Sequence, residues 1–463
     1  MTDLTLARVA SMCGGRLAGG QVLDRALRPG QVSIDTRRLM EGEIFVALRG
    51  DRDGHDFVSD AAARGAGGAI VEEGRPLGPL PRGFPLIVVD DTLRAMQRWA
   101  AAHRRSMPAV VIAVTGSSGK TTTKDRISEI LSDAGSTHAT RGNLNNQIGV
   151  PLTILGIGPG DRWAVVEVAM NHPGEIAPLA RISDPDHVVI TTIGWAHIGP
   201  FGTREAILSE KLEAVRAMRP GGVFFHEADP WLIERLPREI KDLPRRTFGI
   251  GEGADFRPDL VEWDLAETRF RTSYTGDVRL RCPGRGALQA ALAASLLAQT
   301  FGLDGGVVRA CLERARPRPL RMEPRPLGPA TAILDCYNAS PESSEAAVDF
   351  LSALRRGGRR WLAFGEMREL GDRTEEAHRR LGEKAAMLDG LFLLGEGCRP
   401  LAESFLRASG GARPARVYDT EEDLADDLAG RLERGDVVLF KGSRMTAMEK
   451  AYEACLTRLE REE

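Results

Sequence analysis

Residues 109–125 read AVVIAVTGSSGKTTTKD, an apolar run that ends in a turn bounded by two glycines and continues with lysine and three threonines. The apolar, mostly β-branched residues 110–114 suit a strand buried on both faces of a parallel sheet. Gly116 and Gly119 allow a tight turn whose successive backbone N–H groups converge on phosphate oxygens. A helix predicted to begin at Lys120 directs its positive end at the same anion. This stretch therefore predicts a phosphate-binding loop.

The ligand predicted for this loop is ATP. Lys120 would reach the β- and γ-phosphates, and the Thr121 hydroxyl would hold Mg²⁺. The common phosphate-loop spacing requires a glycine where Val114 stands, so TGSSGKTT is a variant of that pattern. An ordinary glycine turn with an exposed lysine is the alternative, but a strand before it and a helix after it favour phosphate binding. The residues expected to contact the nucleotide are Gly116, Ser117, Ser118, Gly119, Lys120, Thr121 and Thr122.

The remaining chain predicts an α/β protein of three domains, because 463 residues are too many for one core. Residues 1–106 are predicted to form a small α/β domain, with strands near 42–48 and 86–89. Residues 107–316 alternate apolar runs with helical patterns, as a doubly wound parallel sheet does. Residues 317–463 alternate again and predict a Rossmann-like domain. The proline-rich segment 316–329 is predicted to be a stiff linker.

The composition of the chain limits the kinds of binding partner that we expect. A net charge of −3 and a pI of about 6.3 give no general attraction to nucleic acid. No apolar run approaches the roughly 18 residues of a membrane-spanning helix, so membrane insertion is not expected. The six cysteines lack a CxxC pair or regular spacing, which indicates reduced thiols. We therefore expect a cytoplasmic protein that binds neither nucleic acid nor membrane.

Polar residues follow several predicted strands of the central domain. Glu167 closes the run WAVVEV, and because a bare buried carboxylate is costly, it is a candidate second ligand for Mg²⁺. His197 follows the strand HVVITTIG, and Lys211 lies on a helical stretch. On spacing alone, a packed histidine and a solvated helix lysine are the favoured explanation of these two residues. The segment 140–152, TRGNLNNQIGVPL, is either a structural loop or a set of side chains facing a sugar–phosphate substrate, namely Thr140, Asn143 and Asn146.

The outer domains also carry polar clusters. Asp35, Thr36 and Arg37 form one between apolar runs, where a capped turn with a solvated arginine is the alternative. Arg321 is either a charge clamp on the transferred phosphate or a solvated arginine. Three predicted strand ends of the third domain carry Asp335, Tyr337 and Asn338, then Glu366 and Glu369, then Lys441, Ser443 and Arg444. Functional groups of such sheets collect at these ends.

Taken together, these strings resemble the Mur ligase family over nearly the whole chain. The resemblance is carried by TGSSGKTT, GNLNNQIGVPL, MNHPGEIAPLA, AHIGPFG, DCYNASP, FGEMRELGD and LFKGSRMTAME. The early segment DTRRLMEGEIFVALRG resembles the uridine-nucleotide segment shared by the last two amino-acid-adding members. The strings YN and MRELG favour the final member, which adds D-alanyl-D-alanine to UDP-N-acetylmuramoyl-tripeptide.

The resemblance implies an ATP-dependent amide ligase of peptidoglycan synthesis. A substrate carboxylate would attack the γ-phosphate to give an acyl phosphate, which the amine of D-alanyl-D-alanine would then attack. The implied catalytic residues are Lys120, Glu167, His197 and Lys211. Thr121 and Glu167 would hold one Mg²⁺, and His197 with a carbamylated Lys211 a second.

The resemblance also implies which residues contact nucleotide and substrate. Arg321, Asp335 and Asn338 would close over the nucleotide. The substrate-binding residues would be Asp35, Thr36, Arg37, Thr140, Asn143, Asn146, Lys441 and Arg444.

The sequence departs from the family pattern at several places. Gly286, Ala287 and Ala290 stand where the family usually has a His-Asn pair and a further asparagine that contact adenine. Thr192 and Ser340 replace two other asparagines. The alternatives are a related ligase acting on another UDP-muramoyl peptide, a polyglutamate-type ligase, or a nucleotide-binding partner without turnover. The UDP-type first domain argues against the second, and the intact catalytic residues argue against the third.

Overall fold

The structure is a computed structural model that describes residues 4–19, 26–27, 32–354 and 357–462. Three main sheets follow one another along the chain, and helices pack on them, which confirms the α/β class. Within the described residues, none of the helices is both long and apolar enough to cross a membrane.

The first sheet has five strands, of which four are parallel and one edge strand is antiparallel. The elements of this part are β1 (Leu4–Thr5), α1 (Leu6–Cys13), β2 (Arg16–Ala18), β3 (Ala26–Leu27), β4 (Val32–Ser33), β5 (Ile44–Val46), α2 (Val58–Ala63), β6 (Gly68–Glu72), β7 (Leu86–Val89) and α3 (Thr92–Ser106). The strand order is β2, β7, β6, β5, β4, and β1 pairs separately with β3. The strands predicted near 42–48 and 86–89 are β5 and β7.

The central sheet has six parallel strands. The elements are β8 (Val110–Thr115), α4 (Lys120–Ala134), β9 (Thr137–Ala139), α5 (Gly149–Leu155), β10 (Trp163–Glu167), α6 (Ile176–Ser183), β11 (His187–Ile190), α7 (Ile198–Phe201), α8 (Arg204–Arg216), β12 (Phe224–Glu227), α9 (Pro230–Arg235), α10 (Arg238–Lys241) and β13 (Arg245–Phe248). The strand order is β13, β12, β11, β8, β10, β9.

Strand β8 lies inside this sheet, as predicted. Val111 and Ala113 belong to the core on one face, whereas Ile112 and Val114 belong to the core on the other. Strands β9 and β10 lie on one side of β8, and strands β11 to β13 lie on the other. The turn after β8 therefore lies where the strand order reverses, which is the usual ligand position in an open α/β sheet.

A three-stranded antiparallel sheet follows the central strands and was not predicted from the sequence. Its strands alternate between buried and exposed residues, as in TRFRT of the middle strand. Two helices then complete this part of the chain. The elements are β14 (Leu260–Trp263), β15 (Thr268–Thr272), β16 (Gly276–Leu280), α11 (Arg285–Thr300) and α12 (Gly305–Arg314).

The third sheet has six strands in the order β17, β18, β22, β19, β20, β21, defined by the ranges that follow. The elements are β17 (Glu323–Leu327), β18 (Ala330–Asp335), α13 (Pro341–Ala353), β19 (Arg360–Gly365), α14 (Thr374–Lys384), β20 (Gly390–Leu394), α15 (Arg399–Ala408), β21 (Ala415–Tyr418), α16 (Glu421–Ala429), β22 (Val437–Lys441) and α17 (Met448–Glu462). All pairs are parallel except β17 with β18.

The linker predicted over 316–329 is wrong in its second half, because β17 begins at Glu323. Pro324 and Pro326 lie in this strand, opposite Ile333 and Thr331. Proline is tolerated there because β17 is an edge strand and needs hydrogen bonds on one side only. The connection between the central and third sheets is therefore shorter than predicted.

A buried ion pair ties α3 to the strand that leads into the glycine turn. Arg104, in the last turn of α3, is fully buried, and its Nε donates to the Ser183 carbonyl at 3.0 Å. Its Nη2 lies 2.7 Å from Asp186 Oδ2, which also accepts the N–H of Val111 at 2.7 Å. Burial lowers the pKa of Arg104, and the Asp186 carboxylate opposes that shift. The pair therefore connects α3, α6 and the start of β8.

We predict that Arg104→Met lowers the free energy of unfolding by about 3 kcal/mol, because Asp186 loses its main partner in a partly buried setting. The measurement is urea unfolding followed by circular dichroism. Arg105→Met is the matched control, since Arg105 is exposed and should change stability by no more than about 0.5 kcal/mol. Equal midpoints for the two variants would contradict the structural role of the pair.

Candidate active site

The glycine turn predicted to bind phosphate lies between β8 and α4, and its backbone requires glycine. Gly116 and Gly119 have φ values of 148° and 80°, which side chains rarely adopt. A Cβ atom on Gly116 would lie 1.9 Å from Thr191 Oγ1. Because β11 is the neighbour of β8, the residues after β11 reach this turn directly.

Two threonines after β11 hold the turn and use some of its N–H groups. Thr192 accepts the N–H of Ser117 through its carbonyl at 2.8 Å and that of Ser118 through its hydroxyl at 3.0 Å. Thr191 Oγ1 donates to the Ser118 carbonyl at 2.5 Å. Among the described residues, no acceptor meets the backbone N–H groups of residues 119–122. The groups available to an anion therefore lie at the start of α4 rather than at Ser117 and Ser118.

Lys120 lies half-buried against this turn. Its Nζ donates to the carbonyls of Gly116 at 2.9 Å and Ser117 at 3.3 Å. Burial lowers the pKa of Lys120; the Glu167 carboxylate opposes the shift and the Arg321 guanidinium adds to it. The ammonium group thus lies among the residues that sequence analysis assigned to one site.

Glu167 ends β10 as a buried carboxylate with unused acceptor capacity. Its Oε1 accepts from Asn145 Nδ2 at 2.8 Å and from Thr121 Oγ1 at 3.3 Å. Its Oε2 is buried without a hydrogen-bond partner in the described chain. Because an unpaired buried charge is costly, this oxygen and the Thr121 hydroxyl fit a hard cation such as Mg²⁺.

The asparagine-rich segment contributes Asn145, which was not predicted, as well as the predicted Asn143. Thr140 is buried and its hydroxyl accepts the N–H of Glu167 at 2.9 Å. Asn146 Oδ1 accepts the N–H groups of Ile148 and Gly149 at the start of α5. Of the three predicted residues, only Asn143 lines the cleft described below. Asn145, which holds Glu167, was missed because the sequence does not show which of the three amides points inward.

His197 and Lys211 lie close enough to Lys120 for its charge to lower the pKa of each. His197 has a φ of 63°, and its Nδ1 lies 2.7 Å from Oε2 of Glu369, in the loop after β19. Burial lowers the pKa of His197, and Glu369 opposes the shift. Lys211 is 2% exposed on α8, and burial lowers its pKa well below the usual range, with a further lowering from Lys120. The described residues provide no hydrogen-bond acceptor to its amine.

The third sheet brings further predicted residues to the site. Lys441 Nζ lies 2.5 Å from Asp335 Oδ2 and donates to the Asn338 carbonyl at 3.2 Å. Lys441 is 1% exposed, so the structure uses this predicted substrate ligand to hold Asp335 and Asn338. The Arg321 guanidinium stacks 4.0 Å above the Tyr337 ring.

Four predicted residues lie away from the glycine turn and its cleft, namely Arg444, Asp35, Thr36 and Arg37. Arg444 pairs with Glu449 at 2.6 Å. Arg37 bonds twice to Asp35, which lowers the pKa of that carboxyl to about 2, and its side chain stays 84% exposed. Thr36 is buried and its hydroxyl bonds to Asp60. The Asp35–Arg37 turn is therefore a separate polar surface.

One large cleft, of about 890 Å³, lies between the central and third sheets and unites most of the other predicted residues. Gly116, Thr140, Asn146 and Lys211 do not line it, but Lys211 is buried close enough to His197 and Lys120 for their charges to affect one another. The predicted residues that line the cleft are Ser117, Ser118, Gly119, Lys120, Thr121, Thr122, Asn143, Glu167, His197, Arg321, Asp335, Asn338 and Lys441.

Comparison with known proteins agrees with this arrangement. The family model of the Mur ligase middle domain matches residues 114–298, and that of the Mur ligase, glutamate ligase domain matches residues 320–444. The UDP-N-acetylmuramoyl-tripeptide–D-alanyl-D-alanine ligase of Bacillus subtilis (strain 168) is 33% identical, over 97% of this chain and 98% of its own.

Two solved structures are similar over the whole fold. MurF from Acinetobacter baumannii superposes with a TM-score of 0.86 at 31% identity, covering 99% of both chains. MurF from Thermotoga maritima, solved in complex with ADP, gives a TM-score of 0.82 at 30% identity, covering 94% of this chain and 100% of that one. By sequence and by fold, the chain belongs to the Mur ligase family.

Proposed function

We propose that the protein joins D-alanyl-D-alanine to UDP-N-acetylmuramoyl-tripeptide with ATP as the energy source, a step of peptidoglycan synthesis. The observation that carries the proposal is the cleft, which is lined by residues with free N–H groups, by a lysine and by a glutamate with an unpartnered carboxylate oxygen. Full-length similarity to ligases of this name supports the choice of substrates.

The start of α4 is the proposed phosphate site. The free N–H groups of residues 119–122 would bind phosphate oxygens, and Lys120 would exchange its bonds to the Gly116 and Ser117 carbonyls for a phosphate. Arg321 adds positive charge from the third-domain side. The ADP complex of the Thermotoga maritima relative is consistent with a nucleotide in this family.

Thr121 and Glu167 are the residues we propose to hold Mg²⁺. The hydroxyl and the unpartnered Glu167 Oε2 supply hard oxygen ligands. When bound, Mg²⁺ neutralises charge that develops on the transferred phosphate. His197 would serve a second ion together with modified Lys211.

We propose that Lys211 reacts with CO₂. Its amine nitrogen forms a bond to the carbon of CO₂ and releases a proton, which yields a carbamate. Only a neutral amine can attack, and burial together with Lys120 lowers the pKa of Lys211 and so favours that form. The product would be an anion, which suits the position beside Lys120 better than a second ammonium does.

The proposed reaction uses the site mainly to position and neutralise charge. The tripeptide carboxylate attacks the γ-phosphorus and ADP leaves, giving an acyl phosphate. The dipeptide amine then attacks the acyl carbon, inorganic phosphate leaves and the new amide loses a proton. Lys120, the start of α4 and Arg321 would face the transferred phosphate, while Lys441 keeps Asp335 and Asn338 in place.

The three predicted domains would divide the work. Residues 1–106 would bind the uridine nucleotide through Asp35, Thr36 and Arg37, residues 107–316 would bind ATP, and residues 317–463 would close the cleft. Substrate contacts by Thr140, Asn143, Asn146, Lys441 and Arg444 stay predictions. All six cysteines are unpaired and buried, which supports a reducing compartment such as the cytoplasm.

Phosphate release in the presence of ATP, Mg²⁺, UDP-N-acetylmuramoyl-tripeptide and D-alanyl-D-alanine tests the function, with each component omitted in turn. We expect release to require all four and to match the amide product measured by mass spectrometry. Release without the dipeptide would reject ligation, and binding of ATP without any release would favour a nucleotide-binding partner.

For Lys211, we predict that the alanine and arginine variants each lose at least about 99% of turnover, because neither can form a carbamate and arginine keeps the wrong charge. Added acetate or formate should partly restore Lys211→Ala but not Lys211→Arg. Lys241→Ala, on the exposed end of α10, is the control and should keep full activity. Full activity in Lys211→Arg would remove the proposed metal role.

For the first domain, we predict that Arg37→Ala raises the KM for the UDP-linked peptide about tenfold and leaves the KM for ATP unchanged. The exposed guanidinium lies outside the cleft proposed to bind ATP. Its loss should therefore weaken binding of the UDP-linked peptide equally in the ground state and in the transition state. Arg94→Ala, at an exposed position of α3, is the control and should leave both KM values unchanged. A change in the KM for ATP, with no change in the KM for the UDP-linked peptide, would show that the first domain has another role.

A further inference from the structure

The cleft continues beyond the glycine turn, and only part of its lining has a role so far. Glu167 and His197 line it, and the charges of Lys120 and Lys211 act on His197. The end of β12, the loop after β13 and the start of α11 also line it, and we call this part the second side. Because the proposed function places the terminal phosphate near Glu167, the second side is the part that is left for the nucleoside.

The second side has walls suited to a flat ring. Gly249 and Gly251 follow β13, Gly286 and Ala287 lie in the first turn of α11, and Ile250 adds apolar surface. Glycine and alanine leave the backbone close to the ligand. These positions provide no side-chain hydrogen-bonding group, so any recognition of polar atoms on the ring must come from elsewhere in the cleft.

One pair of polar side chains borders this space. Glu227 is the last residue of β12 and Gln289 lies one turn inside α11; both line the cleft. Gln289 Nε2 donates to Glu227 Oε1. Arg285, one turn earlier on the same helix face, has its Nη2 3.7 Å from the same oxygen. The pair thus joins two elements that are distant in sequence.

This hydrogen bond determines which atoms the pair presents. A carboxylate accepts only, so the Gln289 amide must turn its nitrogen towards Glu227 and leave its oxygen free. Among the described residues, no donor reaches Gln289 Oε1 or Glu227 Oε2. Burial raises the pKa of Glu227, while Arg285 and the Gln289 amide oppose the shift. The cleft therefore offers two neighbouring acceptors that lack donors.

We propose that Glu227 and Gln289 recognise the base of the nucleotide by accepting hydrogen bonds from the exocyclic amino group of adenine. The 6-amino group has two N–H donors, which match the two acceptors. Inosine has an oxygen at that position and would place an acceptor against the same pair, leaving buried polar atoms unpaired. This inference rests on the proposed nucleotide site and adds specificity-determining residues to it.

The test is binding of ADP and IDP by isothermal titration calorimetry to the full-length protein with Mg²⁺. We expect the parent to bind ADP at least about tenfold more tightly than IDP, because each hydrogen bond that is lost with an unpaired partner costs about that factor. Gln289→Leu should reduce this ratio to about threefold or less. Glu227→Gln should bring the ratio close to one, because the two paired amides then present one donor and one acceptor, which suit the two bases equally.

The matched control is Gln299→Leu, the same change near the other end of α11 and outside the cleft, which should keep the parent ratio. A parent that binds ADP and IDP equally, or variants that keep its ratio, would overturn the inference. Discrimination between ADP and IDP in a protein that fails to form the amide would reject the proposed ligation but support the base recognition.

Discussion

The contact between the threonines after β11 and the glycine turn after β8 is the constraint on which the site depends. Parallel pairing of β8 with β11 brings Thr191 and Thr192 beside the turn, and the close approach of Thr191 excludes any side chain at Gly116. Thr192 satisfies the N–H groups of Ser117 and Ser118. The unpaired N–H groups that follow are therefore concentrated at the first turn of α4. A rigid loop with its remaining donors in one place loses little entropy when it binds an anion.

The cleft contains a group of positive side chains, although the protein as a whole is negatively charged. The chain carries a net charge of −3, yet Lys120, Arg321 and Lys211 lie near one another, and Glu167 is the acidic group that opposes the shift of Lys120. Buried cations of this kind are costly without anions. A polyphosphate, a substrate carboxylate and a carbamate would each relieve that cost. The same electrostatics that lower the pKa of Lys211 thus favour both its modification and the binding of anionic substrates.

Local patterns predicted the parts of the structure that depend on short stretches of sequence. The glycine turn, strand β8 and the start of α4 follow from 17 consecutive residues, and all lie where expected. The sheet β14 to β16 was not predicted, although TRFRT alternates as a half-buried strand does. Edge strand β17 was not predicted because its prolines indicated a linker. Pairings between distant residues were inaccessible: Lys441 holds Asp335 across 106 positions, and Asn145 rather than Asn146 meets Glu167. Which side chain points inward depends on tertiary packing that spacing does not encode.

The proposed base recognition would let a nucleotide site keep its position while its recognition residues change. The first two turns of α11 contain Gly286, Ala287 and Ala290, which have no polar side-chain atoms. Gln289 lies on the same cleft-facing side and is oriented by Glu227 from β12. A glutamine alone could turn either face of its amide to a ligand, whereas the carboxylate partner permits one orientation only. Specificity would then belong to the pair, and the two positions, 62 residues apart, would be constrained to change together.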